Sequence, residues 1–160
     1  MRLLEYEAKA ILKQFSIPVP NGSVIRADDA LPVVPTVVKS QIPVGGRGKA
    51  GGIQVVTSAS KLPDAIERIL HLEIKGHTPS AILCEELIDI QNEYYLSLII
   101  NRSKSCIELV AHQNGGVEVE SNDTAGFLHF TLTGDNADAA GEALAELYGL
   151  PDKTFVLQDM

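Results

Sequence analysis

The sequence predicts an α+β fold, built of mostly antiparallel sheets with flanking helices. Three observations carry that prediction. Helical and strand periodicities follow one another as helix, two strands, helix, several adjacent strands and a final helix. Two apolar runs, Val33 to Gln41 and Ile53 to Thr57, flank a glycine-rich loop and read as a hairpin. The strands of the second half succeed each other across short turns, which favours antiparallel pairing.

Residues 4–15 set Leu4, Ala8, Ile11, Leu12 and Phe15 at helical spacing, with Glu and Lys between them. Ile17-Pro18-Val19-Pro20 ends that helix, and Asn21-Gly22 marks a turn before a short strand at Ser23–Ile25. Ala27 to Pro35 is short and proline-containing, a poor helix. Ser58 or Ser60 is placed to cap a helix over 61–72, with Leu62, Ala65, Ile66, Ile69 and Leu70 on one face. Strands follow at 81–87, 93–101 and 105–111, the last two joined by an Arg-Ser-Lys turn. Gly115-Gly116 precedes a short Val117–Val119 strand, and 127–133 is a further strand. An alanine-rich helix runs from Asp135 to Tyr148, stopped by Gly149 with Pro151 just after. Thr154 to Met160 begins another apolar element, which reads either as a natural end or as the edge of a longer protein.

The 160 residues are 45% hydrophobic and 21% charged, an ordinary globular balance, with a formal net charge of −8. That charge lacks the basic footprint of a nucleic-acid binder, so no nucleic-acid partner is expected. The longest apolar stretch, Tyr94 to Ile100, is too short to span a bilayer, and the charged N-terminus does not read as a signal peptide. A soluble, cytoplasmic chain without a membrane partner is the expectation. Cys84 and Cys106 lie in apolar runs without C-x-x-C spacing and read as reduced core residues rather than zinc ligands.

The most specific feature is Gly45-Gly46-Arg47-Gly48-Lys49-Ala50-Gly51-Gly52. Glycine lets backbone approach a ligand, and amide groups beside Arg and Lys suit phosphate. Gly46-x-Gly48-x-x-Gly51 satisfies the dinucleotide pattern literally, but a strand follows it where that pattern requires a helix. The P-loop pattern fails at Pro43 and Ala50, where it requires Gly and Ser or Thr. What remains is a strand, a glycine loop and a strand, the device with which kinases cover nucleotide phosphates while a lysine on a neighbouring strand holds them. Lys39 ends Val37-Val38-Lys39 and is placed for that part. A merely flexible, solvated hairpin is the competing reading. Against it stand the entropic cost of five glycines and a lysine in an apolar strand, where a charge needs a partner.

These residues resemble a family. Val37-Val38-Lys39-Ser40-Gln41 with the loop at 45–52 is similar to the β-subunit of succinyl-CoA synthetase, an ATP-grasp member of the ADP-forming acyl-CoA ligases. Leu4-Glu5-Tyr6-Glu7-Ala8-Lys9, Ile17 to Pro20, Ile82 to Glu86, Asp89-Ile90, Glu93 to Leu96 and Gly115 to Glu120 extend the resemblance over residues 1–120, with a weaker match over 121–160. It implies that residues 1–160 are the N-terminal part of an ATP-grasp domain, the first subdomain and part of the second, with subdomain changes near 20–25 and 85–90. It further implies that Lys39 contacts the α- and β-phosphates of ATP or ADP, that Gly46, Arg47 and Gly48 fold over the phosphates, that Glu85 sits at the adenine, that Ile88 offers backbone to the base, and that Glu93 reaches the ribose or the base edge. Read without the family, Glu85 and Glu86 are a solvent-exposed pair at a strand end.

The sequence departs from the family at Pro43-Val44, where His-Ala or a similar pair is usual, and in a shortened stretch at 26–35. The family's magnesium ligands, on an acidic-Ile-Asn-Pro segment and a later aspartate, have no counterpart here, nor has its CoA-ligase domain. The phosphohistidine belongs to an α-subunit-like, CoA-binding partner, so His71, His77, His112 and His129 inherit no catalytic role. The implied activity is reversible: ATP, a carboxylate and CoA give acyl-CoA, ADP and phosphate through that phosphohistidine, with Mg2+, in the tricarboxylic acid cycle. The 160 residues carry no catalytic residue and no metal ligand of their own and are not expected to catalyse anything alone. The alternatives are a truncated, non-catalytic nucleotide-binding or interaction module, and another acid–thiol ligase acting on malate, acetate or citrate.

Overall fold

The computed structural model describes residues 2–26, 29–116, 119 and 123–150. The expected strand at 117–119, apart from Val119, and the apolar stretch at 154–160 lie outside the described residues. The chain divides into two compact units, Met1–Asp89 and Ile90–Met160.

The first unit contains α1 (Glu5–Gln14), β1 (Gly22–Ile25), β2 (Thr36–Ser40), β3 (Ile53–Val56), α2 (Leu62–Leu70) and β4 (Ile82–Glu86). Its sheet has the order β1-β4-β2-β3, every pair antiparallel. The expected hairpin is present: β2 pairs with β3 from Thr36 opposite Val56 to Lys39 opposite Ile53. Strand alternation sends Thr36, Val38 and Ser40 to one face, where they are buried. Ile25, Val56, Ile82 and Cys84 join Val38 there and pack on Leu62, Ala65, Ile66 and Ile69 of α2. Those four helical positions follow the i, i+3, i+4, i+7 spacing read from the sequence.

Two expectations in this unit need correction. Neither Ser58 nor Ser60 caps α2: Lys61 holds the N-cap position without a side-chain bond, and the two serine hydroxyls lie 2.9 Å from each other. A 3-10 turn over Ala59–Lys61 leads into the helix, and Pro63 in its first turn leaves one fewer N–H to satisfy. Strand β2 also starts at Thr36 rather than Val33, because Pro35 has no N–H to give to a ladder.

Helix α1 is unusual in its orientation. An apolar stripe at helical spacing ordinarily faces a core. Here no residue of α1 is buried, and Ile11, Leu12 and Phe15 are exposed. Its polar side, Glu5 and Lys9, turns to the sheet face opposite α2.

The second unit holds β5 (Tyr95–Asn101), β6 (Cys106–His112), β7 (Leu128–Leu132) and α3 (Ala137–Tyr148), with the strands in sequential antiparallel order. Ala140 and Leu144 of α3 pack on Leu109 and Ala111 of β6, flanked by Leu128, Phe130 and Leu132 of β7. The helix begins at Ala137 rather than Asp135. Asn136 uses its side chain on the end of β7, accepting from the Thr133 N–H at 2.8 Å and donating to the Thr131 carbonyl at 2.9 Å. Gly149, at φ 65°, ends α3 as expected. Both cysteines are free thiols, and no helix among the described residues is long and apolar enough to cross a membrane.

Candidate functional site

The site is built on the sheet face away from α2. The β2–β4 register sets Lys39 opposite Leu83 and Val37 opposite Glu85, so Lys39 and Glu85 share a face two positions apart. Lys39 Nζ lies 2.6 Å from Glu85 Oε2. The other oxygen of Glu85 takes Lys9 of α1. Glu85 is 2% exposed, so burial makes this pairing obligatory. Gly22, opposite Glu85 in the β1–β4 ladder, leaves room for it, since a Cβ there would come within 2.8 Å of Glu85 Cγ.

Glu5 joins these strands to the loop. Its Oε1 lies 3.0 Å from Lys9 Nζ and 3.2 Å from Lys39 Nζ, and its Oε2 lies 2.7 Å from Arg47 Nη2. Burial alone would raise the Glu5 carboxyl; hydrogen bonds from Lys9 and Arg47, with the charges of Lys39 and Arg47, override it and hold the group at about 2. Burial likewise opposes the charge on Lys39, but the Glu85 and Glu5 carboxylates lift the ammonium above its usual range. The charge in the apolar strand therefore has two partners. Gln41 braces the entry to the helix, accepting from the Tyr6 N–H at 3.2 Å and donating to the Lys39 and Ser40 carbonyls.

The glycine loop is folded on itself. Ala50 N–H donates to the Gly46 carbonyl, Gly51 N–H to Gly48 and Gly52 N–H to Arg47, at 3.1, 3.1 and 2.8 Å. Gly46 and Gly51 have φ of 85° and 78°, which a side chain would strain. Gly52 is packed: a Cβ there would stand 2.5 Å from Ser40 Oγ and 2.8 Å from Ile74 Cδ1. The expected cost of five glycines without packing return is thus offset at one of them. Arg47 points inward, donating to the Ser40 carbonyl at 2.7 Å besides its bond to Glu5. Lys75 brings its ammonium beside Gly46.

The structure gathers Lys39, Arg47 and Glu85, with Gly46 and Gly48 flanking Arg47, around Glu5. Ile88 lies beyond β4 with an exposed side chain. Glu93 belongs to the second unit, where its carbonyl accepts from the Gly115 N–H at 2.8 Å. The reading of Glu85 and Glu86 as an exposed pair holds only for Glu86, which binds Asn21 in solvent. The segment 20–25, expected to mark a change of subdomain, carries β1 inside the first unit.

Sequence reasoning missed Glu5, Lys9 and Lys75 as members of this cluster. The i, i+4 spacing of Glu5 and Lys9 was the available signal for the first two. A cavity of about 240 Å³ opens beside the cluster, lined by Tyr6, Lys9, Val24, Leu83 and Glu85 among others. Among the described residues, no group of three or more His, Cys, Asp or Glu side chains is placed to hold a metal ion.

Residues 2–124 match the protein family described as ATP-grasp domain. A succinate–CoA ligase [ADP-forming] subunit beta from Ignicoccus hospitalis is 39% identical over 126 residues, which are 75% of this chain and 34% of the relative. The corresponding ADP-forming subunit of Halobacterium salinarum is 37% identical over 127 residues, 76% of this chain and 33% of the relative. A GDP-forming subunit beta from Thermus thermophilus is 37% identical over 126 residues, 75% of this chain and 33% of the relative. The chain thus spans about a third of the length of these relatives. Among solved structures, ATP citrate lyase from Methanothrix soehngenii superposes with a TM-score of 0.68 at 17% identity, covering 97% of this chain and 42% of that one. An acetyl-coenzyme A synthetase 1 of Ca. Korarchaeum cryptofilum gives 0.65 at 17% identity, covering 98% of this chain and 75% of that one. At those identities the likeness shows the fold, and that fold is the mixed, largely antiparallel one expected from the sequence.

Proposed function

We propose, from the premise that this chain belongs to the ATP-grasp domain family, that it forms the nucleotide-binding face of an ADP-forming acid–CoA ligase β-subunit. One observation carries the reading: Lys39 of β2 and Arg47 of the glycine loop meet on the Glu5 carboxylate, beside the buried Glu85. Lys39 supplies a point charge to the α- and β-phosphates, and Arg47 a planar fork able to hold two phosphate oxygens. Gly46 and Gly48 let the backbone close over them. Glu85 accepts from an exocyclic amine or ribose hydroxyl, next to a cavity whose largely apolar wall suits a flat base. By the family resemblance alone, we also assign Ile88 to offer backbone to the base and Glu93 to the ribose or base edge.

The whole assembly converts ATP, a carboxylate and CoA into acyl-CoA, ADP and phosphate, reversibly, through a phosphohistidine on an α-subunit-like, CoA-binding partner. We place it in the cytoplasm and, for succinate, in the tricarboxylic acid cycle. Residues 1–160 then serve as the N-terminal part of the ATP-grasp domain, with subdomain changes near 20–25 and 85–90. As the family resemblance implies, we assign the magnesium ligands to residues outside this chain, and no step is routed through the ion here.

Titration calorimetry with Mg-ADP on the wild type and on Lys39→Ala tests the assignment. The wild type is expected to bind, weakly, and Lys39→Ala to lose at least tenfold in affinity. Equal heats from the two proteins would refute the role given to Lys39.

A further inference from the structure

We propose that Glu5 stands in for the ligand's anion: its carboxylate occupies Arg47 and Lys39 in the free protein and is exchanged for phosphate oxygens when a nucleotide binds. The proposal rests on the nucleotide reading above for the identity of the ligand, but its core, an internal carboxylate competing with phosphate, does not.

Four observations support it. Both oxygens of Glu5 are spent on cations, and those cations come from three separate elements: Lys9 from α1, Lys39 from β2 and Arg47 from the loop. Carboxylate and phosphate make the same charge-assisted contacts to guanidinium and ammonium, so one can replace the other without rebuilding the donors. The Glu5 side chain stands in the first turn of α1 and is partly exposed, so it can swing off its cations while Lys9 and Gln41 keep the helix in place. With Glu5 displaced, the ion pairs among the described residues leave Lys9 and Lys39 sharing Glu85 and release Arg47 from its carboxylate, a surplus of two positive charges suited to a polyanion. Lys75, beside Gly46, adds a further cation at the loop.

The same bond fixes the loop. Arg47 ties the turn at 46–52 to α1 through Glu5 and to β2 through the Ser40 carbonyl. Exchanging Glu5 for phosphate keeps Arg47 engaged but frees the loop from α1, so that the loop follows the ligand rather than the helix. On this account Glu5 is a positioning residue that sets both the resting place of the loop and the threshold an anion must exceed.

The test uses inorganic pyrophosphate as probe, with Mg-ADP in parallel, on the wild type and on Glu5→Gln. Amide hydrogen exchange of Ala50, Gly51 and Gly52 in ligand-free protein is expected to rise at least threefold in Glu5→Gln, and pyrophosphate affinity to rise about tenfold. Arg47→Ala is expected to raise loop exchange equally, with no further rise in the double variant. In the wild type, pyrophosphate should shift the NMR signal of the Glu5 carboxyl carbon in step with that of the Arg47 guanidinium, a readout that needs no variant to fold. Pyrophosphate affinity unchanged or lowered in Glu5→Gln, or a Glu5 signal that stays still while Arg47 moves, would overturn the exchange and leave Glu5 a brace. Tighter pyrophosphate binding by Glu5→Gln without binding of Mg-ADP to either protein would uphold the exchange and sink the nucleotide reading.

Discussion

Replacing Glu5 by glutamine removes one charge and weakens three contacts, with Lys9, Lys39 and Arg47. The size of the effect follows from the acidity of the group. Its pKa falls from 4.5 to about 2 on folding, despite the opposing effect of burial. At about 1.4 kcal/mol per unit, that gap corresponds to about 3 kcal/mol of stability contributed by the ionised form. Because the folded value is the lower one, the contribution is complete above the unfolded value of 4.5 and fades as pH falls towards 2. The difference between wild type and Glu5→Gln is therefore expected to be about 3 kcal/mol at pH 7 and about 1 kcal/mol at pH 3. Urea unfolding at the two pH values, followed through NMR signals of Val38 and Ile69 in the first unit, measures it. Glu142→Gln, on the exposed side of α3, serves as a control and should change stability by less than about 0.5 kcal/mol. A Glu5→Gln difference below about 0.5 kcal/mol at pH 7, or one equal at both pH values, would refute the account of the cluster.

The glycines of the loop differ in what they tolerate, and calorimetric melting separates them. Gly52→Ala drives a Cβ into Ser40 and Ile74 and is expected to destabilise the chain by about 1–3 kcal/mol, whereas Gly45→Ala meets nothing within 4 Å and should be neutral or slightly stabilising. Burial pushes the Cys84 thiol up to about 11, so in native protein at pH 8 a thiol-specific reagent should label Cys106, which is only partly buried, and spare Cys84 until urea is added. Labelling of both at similar rates would contradict the packing of Cys84 beneath α2.

The parts of this structure legible in the sequence are those set by local pattern. Val37-Val38-Lys39 and Ile53 to Val56 flank a loop of the right length, so their pairing was readable, as was α2, whose face from Leu62 to Ile69 keeps a helical period. Lys39 drew notice because a charge in an apolar strand needs a counter-charge. That the counter-charges are Glu85 and Glu5 was not readable, since both lie far away in sequence and meet Lys39 only through strand order and helix placement. Helix α1 misled for a related reason. Glu5 and Lys9 between apolar positions look like a solvated face, and only the presence of Lys39 and Glu85 on the sheet makes that face the inner one. Ser60 failed as a cap because a 3-10 turn already occupied the approach to α2.

The place of β4 has a consequence for how the chain is made. It lies between β1 and β2, yet it is the last strand of its sheet to be synthesised. Until residues 82–86 leave the ribosome, β1 has no partner and β2 is paired with β3 on one side only. A nascent chain ending near α2 therefore exposes the open edge of β2, with Val37 and Val38, the kind of edge that recruits other chains. The second unit has no such interval, because β5, β6 and β7 pair in the order in which they emerge. Folding of the first unit is thus delayed by translation of about sixty residues after β1, while the second can assemble nearly as fast as it appears.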